Sequence, residues 1–411
     1  MLSLILYNLF LRLYVAGIWL VSPWNQKAKQ WIRGRSAQKQ MAFKSSGELV
    51  WMHCASLGEF EQGRPILEEI RQRYPQRKYL VTFFSPSGYE VRKDYEGADL
   101  VLYLPIGTRA NAESFLNTFK PTLVIWVKYE YWYYYLQQLH ARRIPTLLVS
   151  AVFRPKQPFF RWYGALHRKM LSYFSRMFVQ DKASVDLLYT INDSLPVTVG
   201  GDTRFDRVLE IAAGFSVIPT VEVFVRNSPV IVAGSTWQED EEQLVHLAKV
   251  NKDIRFIIAP HHIDEDRLQY IEKLFPETER FSAFAKDPAK RPQTLIIDNI
   301  GMLSRLYHYA TICYVGGGFG DDGIHNVLEA AVYGRPVVIG PVYEKYIEAV
   351  ELVKIGGVMS IDSALELERV CNRLLDDEEY YQAAATQAGS YVRAKAGATQ
   401  RIVEHIEKKK L

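Results

Sequence analysis

The sequence predicts an α/β protein of two domains, each built on a parallel sheet and preceded by an apolar and basic N-terminal helix. Three observations carry this. Short β-branched and aromatic runs alternate with helical patterns, as when parallel strands are joined by crossover helices. That rhythm lapses once, from Val197 to Pro219, and then resumes. The chain has 411 residues, more than one core usually holds, so two domains of about 200 residues are the default.

The first element is the run Leu2 to Val21, apolar except for Ser3, Asn8 and Arg12. About 20 residues suffice to span a bilayer. Arginine at mid-span is costly, however, so a helix lying in one leaflet fits better. Residues 1–47 contain no Asp or Glu but do contain Arg12, Lys27, Lys29, Arg33, Arg35, Lys39 and Lys44. They carry +7, so the remainder of a +4 chain carries −3. Local basic charge flanked by Trp19, Trp24 and Trp31 suits an anionic membrane surface. It does not suit a nucleic-acid binder, which would show a basic face on a folded domain. Two rivals stand beside this reading. A cleaved signal peptide would need a charged start and a small-x-small site, and neither is present. A buried core helix would need a buried partner for Arg12. The anchor is assigned to residues 1–35.

The first domain is assigned to residues 36–210. Strands are expected at Leu49 to His53, Tyr79 to Phe84, Leu100 to Tyr103, Leu123 to Val127, Thr146 to Val152 and Arg176 to Val179. Ala55 to Glu59 reads as a loop, and Gln62 to Tyr74 as a helix with Ile66, Leu67 and Ile70 inward. The boundary falls near 206–222. The second domain is assigned to 222–395, with strands at Val230 to Ala233, Phe256 to Ala259, Thr294 to Ile297, Thr311 to Val315 and Val337 to Ile339. A helix from about Tyr380 to Ile406 closes the chain, its end assigned to 396–411.

Polar residues cluster after strand ends. Glu59 follows Gly58, whose freedom permits a tight turn. A carboxylate there can serve as a general base or simply favour the helix dipole. Glu130 opens the aromatic run Tyr131 to Tyr135, as a functional group or a solvated helix start. Ser235 and Thr236 follow Gly234, as phosphate ligands or N-caps. His261 and His262 follow Pro260 and read as hydrogen bonders or cations towards an anion, or as structural groups. Gly316, Gly317 and Gly318 end a strand, and His325, Asn326 and Glu329 lead into a helical pattern from Val327 to Tyr333. Strand, glycine turn and helix start bring backbone N–H groups near an anion. The glycines do not form the dinucleotide fingerprint, and no phosphate-binding Walker motif or serine nucleophile elbow appears. Cys54, Cys313 and Cys371 have no metal or disulfide spacing.

Taken in order, these stretches resemble the 3-deoxy-D-manno-octulosonic acid (Kdo) transferases, a family of GT-B glycosyltransferases. His53-Cys54-Ala55-Ser56-Leu57-Gly58-Glu59 is similar to that family's HAxSxGE. Glu130-Tyr131-Trp132 is similar to ELW, and Gly234-Ser235-Thr236 to GST. Val315-Gly316-Gly317 with Gly323-Ile324-His325-Asn326 and Glu329-Ala330-Ala331 is similar to VGGS and GGHNxxEPA. The resemblance implies a GT-B fold, two Rossmann-like domains facing a cleft. It implies inverting transfer of Kdo from CMP-Kdo to a lipid A precursor (lipid IVA) at the cytoplasmic face of the inner membrane, with no metal or cofactor. Glu59 would be the general base, with Ser56 and Glu130 on the acceptor side. Ser235, Thr236, His262, Gly316, Gly317, His325, Asn326 and Glu329 would bind CMP. The chain departs from the family at His261 and Lys345, where Arg and Asn are usual, at Lys128 in place of a Glu, and at Gly201 to Asp206. A GT-B enzyme using another nucleotide sugar is the alternative.

Overall fold

The computed structural model describes residues 2–38 and 47–411. Lys39 and Lys44, counted in the basic N-terminus, lie outside the described residues. The chain divides into two compact units, Met1–Arg207 with Ala396–Leu411, and Val208–Lys395. Both are α/β, as the alternation of patterns predicts.

The first unit holds β1 (Leu49–Cys54), β2 (Lys78–Phe83), β3 (Leu100–Tyr103), β4 (Leu123–Val127), β5 (Thr146–Ala151), β6 (Arg176–Val179) and β7 (Val197–Val199). They form a parallel sheet in the order β3-β2-β1-β4-β5-β6-β7. Successive side chains point to opposite faces. Leu49 and Trp51 therefore join Val124 and Trp126 in one core. Val50, Met52 and Cys54 join Ile125 and Val127 in the other. The second core is closed by Ile66, Leu67 and Ile70 of helix Leu57–Arg73 and by Ile402, Val403 and Ile406 of helix Ala398–Lys408. That last stripe is fully buried and contributes roughly 5 kcal/mol.

The N-terminal helix, Leu2–Val21, lies against the first core. Leu4, Tyr7, Leu11, Tyr14, Val15 and Ile18 recur at helical spacing and pack there. Tyr134 O–H donates to Asn8 Oδ1 at 3.1 Å, and Tyr133 N–H donates to Tyr7 Oη at 3.2 Å. The other side leaves Ile5, Leu6, Leu9, Phe10, Leu13, Trp19 and Leu20 exposed. Arg12 is exposed too, so it needs no buried partner. Ser3–Val21 is the one described helix long and apolar enough to cross a membrane by length and composition.

The second unit holds β8 (Val230–Thr236), β9 (Arg255–Pro260), β10 (Thr278–Arg280), β11 (Thr294–Ile296), β12 (Ile312–Val315), β13 (Val337–Ile339) and β14 (Val358–Ser360). Its parallel sheet runs β10-β11-β9-β8-β12-β13-β14. Ile231, Ala233, Ile258, Tyr314 and Val338 meet Leu244 and Leu247 of helix Gln238–Val250 in its core.

Four expectations need correction. The helix expected from Gln62 begins at Leu57, because Ser56 is extended and its carbonyl accepts Phe60 N–H at 3.0 Å. Ala55 to Glu59 is thus largely helix, and Glu59 sits in its first turn. The single closing helix is two, Glu378–Lys395 and Ala398–Lys408. Gly397 breaks it with φ +97°, and the Asp206 carboxylate accepts the N–H groups of Gly397 and Thr399. The helix expected at Val327 to Tyr333 is only Leu328–Ala331, cut short before Gly334 (φ +60°). Finally, β7, β10 and β14 were not expected. Each has three residues and lies at a sheet edge, where one neighbour leaves little hydrophobic pattern to read.

Candidate active site

Each unit gathers polar groups at the carboxyl ends of its central strands, where the strand order reverses. That point is β1/β4 in the first unit and β8/β12 in the second. Connections there leave in opposite directions and open a crevice, the usual ligand position in open α/β sheets.

In the first unit β1 runs through His53 and Cys54 into the helix start. Glu59 turns back from the first helical turn, and its Oε2 accepts the Ala55 N–H. It is only 9% exposed. Burial, the largest cause, pushes its carboxyl up to about 7. The Ala55 N–H opposes this, the nearby Glu130 charge adds to it, and Lys128 opposes it again. Lys128, left-handed at φ +57°, turns the chain after β4 and so presents Tyr129 and Glu130 at the strand end. Ser56 is the extended N-cap residue, without a side-chain cap bond.

Behind Glu59 lies a buried polar chain. Glu130 Oε2 lies 3.1 Å from His53 Nε2 and accepts Trp132 Nε1–H at 3.0 Å. His53 Nδ1 lies 2.9 Å from Thr82 Oγ1, which accepts Trp51 Nε1–H at 2.8 Å. An ionised carboxylate only accepts, so His53 Nε2 carries the proton. Nδ1 then accepts the Thr82 hydroxyl, whose own lone pair takes the Trp51 N–H. Every donor in this chain finds an acceptor, which is what makes a fully buried histidine affordable here.

In the second unit β8 ends in an irregularity. Its pairing with β9 slips between Gly234 and Thr236, and Ser235 is left-handed at φ +54°. Bulges of this kind re-aim a side chain at a strand end. Thr236 is buried, and its hydroxyl donates to Glu241 Oε1 at 2.7 Å. Arg267 donates to the other oxygen of Glu241. Thr236 and Arg267 are therefore both committed to one carboxylate, itself pushed up to about 7 chiefly by burial.

The glycine loop is fixed by Asp240. Its Oδ2 accepts Trp237 N–H at 2.9 Å and Gly317 N–H at 2.8 Å, and its Oδ1 accepts Tyr314 O–H at 2.9 Å. Gly316 N–H donates to Gly234 O at 2.9 Å. The N–H groups of Gly316 and Gly317 are thus spent within the fold. What they supply is room. A Cβ on Gly316 would stand 2.5 Å from Ser235 O and 2.7 Å from Thr236 Cα, and one on Gly317 would stand 2.6 Å from Gly323 O.

His325, His261 and Trp237 form a stacked column, with centroids 4.5 Å (His325–His261) and 4.7 Å (His261–Trp237) apart. His262 meets the Trp237 ring edge-on at 5.1 Å. Trp237 Nε1–H donates to His325 Nε2 at 3.1 Å, which leaves the His325 proton on Nδ1. Burial first, then His261, lowers its pKa to about 4, so at neutral pH His325 is an uncharged donor. Asn326 Nδ2 donates to Glu329 Oε1 at 3.0 Å, and Asn326 Oδ1 accepts Leu328 N–H at 3.3 Å.

A family profile described as 3-deoxy-D-manno-octulosonic-acid transferase matches residues 27–207. A Kdo transferase of Haemophilus influenzae is 25% identical over 87% of this chain and 86% of its own. One of Aquifex aeolicus is 26% identical over 81% and 88%. The chain is thus similar to Kdo transferases over most of its length, and residues 27–207 match their family profile. The fold agrees: the crystal structure of a UDP-GlcNAc 2-epimerase from Neisseria meningitidis superposes with a TM-score of 0.63, at 19% identity, over 88% of this chain and 100% of that one.

The residues named from sequence fall into two groups. Glu59, Ser56 and Glu130 lie at the carboxyl ends of β1 and β4, Ser235 and Thr236 end β8, and His262, Gly316, Gly317, His325, Asn326 and Glu329 lie on the connections after β9 and β12. The reading missed the roles of His53, Thr82, Trp237 and Asp240. Asp240 had a signal, an acidic residue three positions after an extended one at a helix start. Its bonds to Tyr314 and Gly317 had none. His261, where the resemblance leads one to expect arginine, fills the middle of an aromatic column. Lys345 Nζ donates to Asp321 O at 2.6 Å, bracing the loop before His325.

Proposed function

We propose that the chain transfers Kdo from CMP-Kdo to a lipid A precursor with inversion, using Glu59 as general base. The observation that carries the base assignment is Glu59 itself. It is a nearly buried carboxylate at the β1/β4 crevice, pushed up to about 7. A base working near neutral pH is most effective with a pKa there. The acceptor hydroxyl loses its proton to Glu59 as its oxygen attacks the anomeric carbon and the bond to CMP breaks. Charge then develops on the sugar as an oxocarbenium-like centre and on the departing phosphate. Ser56 and Glu130 lie beside Glu59 and would orient the acceptor. In the second unit Ser235, His262 and the neutral His325 Nδ1–H would donate to CMP, Gly316 and Gly317 would let their loop pack tightly beneath it, and Glu329 would accept from a ribose diol. Thr236 would contribute only what its bond to Glu241 leaves over. Donors aimed at a developing phosphate charge are worth most where water is excluded.

The exposed apolar side of helix Leu2–Val21, followed by the basic residues of helix Gln26–Gln38, supports attachment to the cytoplasmic face of the inner membrane, the helix lying in one leaflet. Incubating the purified protein with CMP-Kdo and lipid IVA, with mass spectrometry of the product, tests the reading. Kdo added to the lipid upholds it. No product, alongside turnover of another nucleotide sugar, overturns it.

A further inference from the structure

Within the first unit an apolar cavity of about 880 Å³ lies between the N-terminal helix and the segment from Trp162 to Met170. Its walls include Leu6, Tyr7, Phe10, Trp132, Leu166 and Met170. The volume is in the range of ligand sites, about 300–1,000 Å³. Three observations say what it takes. First, among its described lining residues the one carboxylate is Glu130, which is bonded to His53 and Trp132 and whose charge acts on Glu59, so one wall of the cavity is shared with the candidate active site. Second, its outer rim carries Leu6 and Phe10, each more than half exposed, with Trp162, 91% exposed, and Tyr163. An exposed aromatic pair opposite an exposed apolar helix side is how proteins meet a lipid interface. Third, residues 131–180 contain eight Lys and Arg and no Asp or Glu. This second acid-free stretch includes Arg161 and Lys169, next in sequence to the lining residues Trp162 and Met170 and both exposed, and suits an anionic head group. His167, also on the wall, is kept uncharged by burial, in keeping with an apolar occupant.

We propose that this cavity holds one acyl chain of the lipid acceptor, so that the chain's seat between helix Leu2–Val21 and helix Ala165–Leu171 positions the acceptor's sugar hydroxyl at Glu59. This rests on the acceptor being a lipid, as proposed above. Bulk membrane contact would need only the exposed rim. A seated chain uses the interior, Tyr7, Trp132 and Met170 included, and binds through the apolar surface it buries.

Ala165→Trp tests it. Ala165 is exposed and lines the cavity, so the substitution fills the space without entering the core, and it leaves the rim of the N-terminal helix intact. Initial rates are compared for the acylated acceptor and for the same head group stripped of acyl chains. The expected result is a KM for the acylated acceptor raised roughly tenfold, the loss of a few buried methylenes, with the stripped acceptor unaffected. Equal effects on both acceptors, or none, overturn the proposal. A second readout is independent of turnover: a photoactivatable fatty acyl lipid in vesicles. Labelling of Tyr7, Leu166 and Met170 that Ala165→Trp abolishes upholds the seat. Labelling confined to exposed positions such as Leu9, Leu13 and Leu20, and indifferent to the substitution, overturns it as mere membrane contact. If neither acceptor receives sugar from the unaltered enzyme, the functional reading fails by itself, and the labelling still decides the cavity.

Discussion

His53 Nε2 lies 3.1 Å from Glu130 Oε2, although the two residues are 77 positions apart. Parallel pairing makes this necessary. His53 lies level with Trp126 across β1 and β4, and the left-handed turn at Lys128 brings Glu130 back over the strand end. The pair then fixes where the Glu130 charge sits, and that charge is one cause of the high pKa of Glu59.

Glu59 should therefore govern the reaction. Glu59→Gln keeps the size and the acceptor for Ala55 N–H but cannot take a proton. Its kcat should fall by about 10²–10⁴ while KM for CMP-Kdo stays within about twofold, as expected when a group acts on proton transfer and not on donor binding. Steady-state kinetics on a variant with unchanged circular dichroism checks this. An unchanged kcat would remove Glu59 from the base role.

The pH dependence follows from the same burial. Burial pushes the Glu59 carboxyl up to about 7 in the folded protein, against about 4.3 when unfolded. Activity should rise with pH through about 7 as the base form appears. Stability should move the other way. Between the two pKa values the folded state binds the extra proton, so Glu59 costs stability as pH rises from about 4 to 7, by roughly 4 kcal/mol in total. Glu59→Gln should thus stabilise the protein at pH 8 and do little at pH 4. Urea denaturation at the two values measures it; equal effects at both would contradict the burial argument.

The His53–Glu130 pair gives a graded series. Glu130→Gln retains an oxygen for the donors of His53 and Trp132, whereas Glu130→Ala leaves both buried N–H groups unpaired. The alanine variant should lose about 2–4 kcal/mol, an unsatisfied buried donor costing about 1–3 kcal/mol, and the glutamine variant less than half of that. Denaturant midpoints separate the two.

Much of this was readable before the structure. Strand cores such as Leu49 to His53 announced themselves because both faces of a parallel strand are buried and leave a largely apolar run. Glu59, Glu130 and His325 were visible because they follow those runs. What stayed hidden depended on register or on partners far away in sequence: the Thr82 hydroxyl under His53, the Asp240 carboxylate under Gly317, the aromatic column through His261. The early helix start at Leu57 was masked by Gly58 and Pro65, both poor helix residues, which buried Phe60 overrides by packing.

Asp240 should control nucleotide binding without touching the nucleotide. Asp240→Ala frees Gly317 N–H, Trp237 N–H and Tyr314 O–H together, so the glycine loop loses its anchor. Affinity for CMP should fall by about tenfold or more, and stability by about 2–4 kcal/mol. Asp240→Asn retains an oxygen for the two N–H groups, and its amide can donate to Tyr314 Oη, so CMP affinity should stay within a few-fold. Isothermal titration with CMP on both variants is decisive: equal loss in the two would mean that charge, and not the anchored loop, is what the nucleotide needs.

Ser235 and Thr236 are neighbours with opposite fates, and one pair of substitutions separates them. The Thr236 hydroxyl is buried and donates to Glu241. Thr236→Val preserves shape but withdraws that donor from a carboxylate with no exposure, so it should cost about 1–3 kcal/mol of stability and change CMP affinity by less than about threefold. Ser235, left-handed at the bulge, has a partly exposed side chain. Ser235→Ala should leave stability within about 0.5 kcal/mol, as surface changes usually do, and weaken CMP binding by about 1 kcal/mol, one hydrogen bond's worth. Thermal unfolding and CMP titration of both variants give four numbers. The assignment fails if Thr236→Val weakens CMP binding more than Ser235→Ala does, because the hydroxyl turned towards Glu241 would then have to be the one that meets the nucleotide.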